Sequence, residues 1–239
     1  MIRSSFLVVC AALFASGCMA QTKLEVNDIV NHPFSEQLAP GGKLSLRVQS
    51  GDIHVIGTAD NKVSVELSGR NAHDARRLKV RIVRKDATAD MRICGGPRNG
   101  LTITVRIPSN TDLFARVPFG DLRVENMAGS QDVELHAGEL TVDVGDRTDY
   151  SRVDASVFTG EVDAVPFGET HGGLFRSFRL HGTGTHRLHA HVGAGQLTFV
   201  ARAPAHASGA SVVPGRSAAR LTLPPSRPAR PAAKSGFLD

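Results

Sequence analysis

Four histidines fall close together in the last third of the chain, at His181, His186, His189 and His191. If Leu188, Ala190 and Val192 point inward on a strand, His189 and His191 share its outer face, the arrangement of an H-x-H metal site. Zinc or copper would suit such imidazoles, with His181 or His186 as a third donor. No acid stands near them in sequence to orient the rings, and outward histidines are ordinary on a strand. No metal or other cofactor is therefore assigned.

Acids form the second group: Asp121, Glu139, Asp143, Asp154, Glu161 and Asp163. Stacked on neighbouring strands, two carboxylates would supply the acid and base of glycoside hydrolysis, and several would suit calcium. The chain has no G-G-x-G-x-D calcium repeat, so these acids read as solvent-facing. No G-x-S-x-G, S-x-x-K, H-E-x-x-H or G-x-x-x-x-G-K pattern occurs either, and the expectation is a protein that is not an enzyme. Cys94, in the strand-like run Met91–Cys94, reads as a small buried residue.

The elements that must position these groups are strands. Lys43–Val48, Lys62–Leu67, Leu101–Ile107, Asp132–His136 and Leu140–Val144 alternate apolar and polar residues, as half-buried strands do. Only Ala72–Leu78 suggests a helical turn. A Gly-acid-apolar unit recurs at Gly51, Gly120, Gly138 and Gly160, with a looser copy at Gly195. Glycine admits the positive φ that a corner needs. Steps of 18 and 22 residues, from Gly120 to Gly138 to Gly160, match one coil each of a β-solenoid, whose apolar column forms only on stacking. Leu122, Val124, Leu140, Val142, Val162, Leu197 and Phe199 would line that column. The fold class is all-β, a solenoid or β-helix-like stack of short strands with a strand-rich lead-in; a β-sandwich is the alternative.

These repeated units, the strand-rich lead-in with an isolated cysteine and the exported start resemble the bacterial "putative adhesin" domains of unknown function. The resemblance covers residues 43–202. It implies an exported, solenoid-like fold without catalytic residues, acting as a binding or structural module of the cell envelope.

The start of the chain has a positive n-region at Arg3, an apolar run from Phe6 to Ala15 and then small residues, the three parts of an export signal. The run is about half the ~20 residues of a membrane span. Phe14–Cys18 resembles a lipobox. By that resemblance residues 1–17 are removed, Cys18 is lipidated and anchors the chain to a membrane, and Met19 favours the outer membrane, facing periplasm or surface. The alternative is cleavage after Ala20, giving a soluble periplasmic protein. Residues 18–42 read as a linker.

The charge is uneven. Residues 203–239 hold five Lys/Arg against Asp239 and are rich in Ala, Pro and Ser, a basic tail expected to be disordered. Between Arg70 and Arg106 ten basic residues face three acids, whereas Asp112 to Glu169 holds thirteen acids and four arginines. Basic residues on strand edges discourage aggregation, which accounts for the first run. Tryptophan is absent and there is one tyrosine, so the stacking platforms of nucleic-acid binding are missing. An envelope polysaccharide or a protein remains the expected partner class.

Overall fold

Alternation of apolar and polar residues runs through nearly every described segment, and each run is a strand. The computed structural model describes residues 22–27, 29–30, 33–97 and 99–202. Cys18, the export signal and the basic tail lie outside the described residues.

The strands are β1 (Thr22–Asn27), β2 (Phe34–Gln37), β3 (Lys43–Val48), β4 (Asp52–Thr58), β5 (Lys62–Ser68), β6 (Lys79–Lys85) and β7 (Thr88–Cys94). They continue as β8 (Thr102–Pro108), β9 (Asp112–Phe119), β10 (Leu122–Glu125), β11 (Gln131–Val144), β12 (Tyr150–Ala164), β13 (Glu169–His181) and β14 (His186–Ala201). The suggested helical turn is a 3-10 turn over Ala72–Arg77. All fourteen strands belong to one hydrogen-bonded sheet, so the all-β expectation holds.

That sheet folds over on itself. The long strands β11, β14 and β12 run through the bend, whereas β9/β10 and β3/β4 meet it as separate pairs. A glycine sits at the bend on each level: Gly51, Gly120, Gly138, Gly195 and Gly160, with φ between 120° and 138°. They form a ladder. A Cβ on Gly120 would lie 2.1 Å from the Gly51 carbonyl oxygen, on Gly138 1.9 Å from that of Gly120, and on Gly195 1.9 Å from that of Gly138. On Gly160 it would lie 1.7 Å from the Gly195 oxygen. Both the conformation and the space between levels thus exclude a side chain there.

Inward phase changes across the bend. In β11, Gln131, Val133 and Leu135 face inward before it, and Leu140, Val142 and Val144 after it. Residues from both halves of the sheet join one core, which includes Leu122, Val124, Leu140, Val142, Val162, Leu197 and Phe199. Each of these apolar side chains removed from water contributes about 1.5–3 kcal/mol. The lead-in residues add β1 and β2, paired antiparallel to β6 and β5.

Stacking does not follow chain order throughout. The 18-residue step is a register step: Leu122 faces Leu140, and Leu113 faces Gln131, in parallel pairs. The 22-residue step is not, because β14 lies between β11 and β12. The reason is local. Val165–Phe167 form a tight turn closed by Gly168 at φ 83°, and so short a connection makes only an antiparallel neighbour. Strand β13 therefore takes one edge of β12, and β14 pairs with the other.

Candidate functional site

Parallel strands in register place outward side chains in rows that run across the sheet. In the half of the sheet before the bend, one row reads Arg81, Arg92, Arg47 and Arg116, on β6, β7, β3 and β9. It continues through Glu134, His191 and Ser156 on β11, β14 and β12. Like charges directly opposite one another destabilise a sheet, so four adjacent guanidiniums call for counter-charge. Arg92 has Asp90 at 3.6 Å. Arg116 is held more firmly: Nε lies 2.7 Å from Glu134, Nη2 3.1 Å from Asp132, and the guanidinium carbon 3.7 Å from the Phe114 ring centroid. Arg47 and Arg81 are exposed, and among the described residues neither has an ion-pair partner. Shallow clefts flank the row, one of ≈ 190 Å³ beside Arg81 and Arg92 and one of ≈ 280 Å³ bordered by Arg47, Arg116, Glu134 and His191.

Sequence spacing hides this row, because its members come from four segments paired only by the fold. Edge protection accounts for the basic run from Arg70 to Arg106 only if those residues lie on edge strands. Arg81, Arg92 and Arg106 of that run instead lie on interior strands of the sheet.

The histidines divide. His189 and His191 do share the outer face of β14, and each is flanked: His189 by Asp132 and Asp154, His191 by Glu134 and Ser156. Ser156 Oγ and His191 Nδ1 are 2.8 Å apart. The acids that sequence proximity did not supply come from β11, whose Asp132 and Glu134 precede the histidines by 57 residues. His181 lies on β13 opposite Arg152, and His186 opposite Tyr150 at the start of β14; neither belongs to the flanked pair.

The acids are likewise spread over several rows. Just past the bend Asp52, Asp121 and Glu139 border one cleft of ≈ 290 Å³ with Thr102, Arg123 and Thr141. Burial, and then the charge of Asp121, push the Asp52 carboxyl above its ordinary range. Glu161 follows only after Gln196, while Asp143 and Asp163 face other rows and Asp154 lies before the bend. Further along β10, Glu125 meets His54 Nε2 at 2.7 Å and Arg123 Nε at 2.5 Å. Burial pushes its carboxyl upward, but the His54 and Arg123 hydrogen bonds and charges outweigh that and leave it below the usual range.

Cys94 is exposed, not buried. Met91 and Ile93 take the inward phase of β7, which turns Arg92 and Cys94 outward.

No protein-family model matches the chain, and no curated protein does. It is similar to a solved structure described as a putative cell adhesion protein from Clostridium sporogenes ATCC 15579, at 14% identity and a TM-score of 0.40, over 71% of this chain and 100% of that one. It is similar also to one described as a putative adhesin from Bacteroides fragilis NCTC 9343, at 11% identity and 0.31, over 76% and 99%. Likeness this distant carries no functional argument.

Proposed function

We propose that this protein is a non-catalytic binding module of the bacterial cell envelope, whose arginine row holds a linear anionic polysaccharide. The observation that carries this reading is the placement of Arg81, Arg92, Arg47 and Arg116 side by side on four adjacent strands. Strands lie ~4.8 Å apart, so the row offers guanidiniums at intervals of that order over about 14 Å. Each guanidinium presents planar paired donors that fit a carboxylate or phosphate. A polymer with acidic groups on successive sugars would supply the counter-charge that Arg47 and Arg81 lack.

The start of the chain supports an envelope setting. A chain lipidated at Cys18 stands on the outer membrane, and one cleaved after Ala20 diffuses in the periplasm. The solenoid-like reading of the fold draws on the in-register glycine ladder, with β14 entering out of chain order. The test is retention on an immobilised polyuronate. Retention that falls as salt rises supports the reading, since exposed charges are screened within about a Debye length; no retention at low salt contradicts it.

One observation favours a second reading. Asp52, held toward its protonated form beside Asp121 and Glu139 in a shared cleft, has the acid character that glycoside hydrolysis uses. Release of reducing sugar from envelope glycans, lost in Asp52→Asn, would favour it over the binding module.

A further inference from the structure

We propose that Asp132, Glu134 and His189 form a binding site for a divalent transition-metal ion such as zinc. One carboxylate oxygen from each acid and one imidazole nitrogen all lie within 4.8 Å of one another. Two carboxylates and an imidazole form a donor set that zinc and its first-row neighbours accept. Ions of this kind bind at ~2.0–2.2 Å, so small side-chain rotations bring the three donors onto one centre.

The backbone holds the arrangement. Asp132 and Glu134 are two apart on β11, His189 and His191 two apart on β14, and the strands pair in parallel with Asp132 opposite His189 and Glu134 opposite His191. One more feature fits a cation. Asp132 Oδ1 is closed to water and has no hydrogen bond; its 3.1 Å approach to Arg116 Nη2 is an ion pair without hydrogen-bond alignment. His191, next along the same face, is engaged at Nδ1 by Ser156 at 2.8 Å and stands outside the three-donor group.

Arg116 now supplies the positive charge to both acids. A metal ion competes with its guanidinium for the same oxygens. Removing Arg116 therefore tightens metal binding, an effect opposite to that expected if the cluster were only an ion-pair network.

The experiment is calorimetric titration of Zn²⁺ into the full chain near neutral pH, repeated with Co²⁺ and followed by visible absorption. The expected results are uptake of one ion per chain and a Co²⁺ band that depends on His189. His189→Ala and the near-isosteric Asp132→Asn each weaken binding by about tenfold or more. Arg116→Gln strengthens it, while His181→Ala and His186→Ala leave it unchanged. Circular dichroism confirms that each variant folds. Absence of uptake by both the natural chain and Arg116→Gln overturns the proposal. So does uptake that persists unchanged in folded His189→Ala and Asp132→Asn.

Discussion

Replacing Gly138 with alanine tests the ladder that bends the sheet, and Gly51 supplies an internal control. Both glycines have positive φ, 138° and 123°, so alanine at either position carries a similar conformational cost of about 1–3 kcal/mol. They differ in what the new methyl group meets. At Gly51 the nearest atom is the Leu101 carbonyl oxygen at 3.8 Å, an ordinary contact, whereas at Gly138 the Gly120 oxygen lies at 1.9 Å. Relief of that overlap must separate two levels of the sheet and break the hydrogen bond from Gly120 N to Ala137 O, 3.2 Å long. Overpacking and a lost backbone bond together cost roughly 2–4 kcal/mol more. Gly138→Ala should lose about 3–7 kcal/mol, a large share of the ~5–15 kcal/mol of a typical domain. Urea unfolding followed by circular dichroism measures it, with the Gly138→Ala midpoint expected more than about 1 M below that of Gly51→Ala. Equal losses in the two variants would refute the role given to cross-level contact. Gly172→Ala, where φ is not positive and a Cβ meets nothing within 4 Å, should lose nothing.

The upward shift of the Asp52 carboxyl makes its ionisation oppose folding. The stability tied to its protonated form is fully present below the ordinary Asp pKa and lost as pH rises through the shifted value. Asp52→Asn should thus stabilise the protein slightly near neutral pH, by roughly a few tenths of a kcal/mol at most because solvent screens this exposed carboxylate, and the gain should vanish around pH 3; calorimetric melting at both values checks this. Exposure of Cys94 predicts that its thiol reacts with a disulfide reagent in the native state, with one reactive thiol fewer in Cys94→Ser.

Much of the core was legible because inward positions follow a period of two: Leu122, Val124, Leu140 and Val142 are buried as the alternation implies. The glycine corners were legible for a similar reason, since each level of the bend repeats the same local demand. Strand order was not. Whether β12 or β14 lies beside β11 depends on contacts between residues such as Val133 and Ala190, and on the turn at Val165–Phe167, which carries no long-range signal. The arginine row was hidden for the same cause, its members being brought together by pairing alone. Asp52 was within reach, because it occupies the acid position of the Gly51 unit just as Asp121 and Glu139 do in theirs. Cys94 reads as buried from the apolar character of its run, whereas Met91 and Ile93 set the inward phase and turn it out.

The arginine row is the centre of the functional account, and equilibrium binding of a soluble polyuronate tests it most directly. The natural chain is compared with Arg47→Gln/Arg92→Gln and with Arg106→Gln/Arg123→Gln, which removes the same charge beyond the bend. Charged hydrogen bonds contribute about 1.5–3 kcal/mol each, so the row variant should bind at least about tenfold more weakly, with the control close to the natural chain. Equal weakening in both variants, or no binding by the natural chain, would contradict the account.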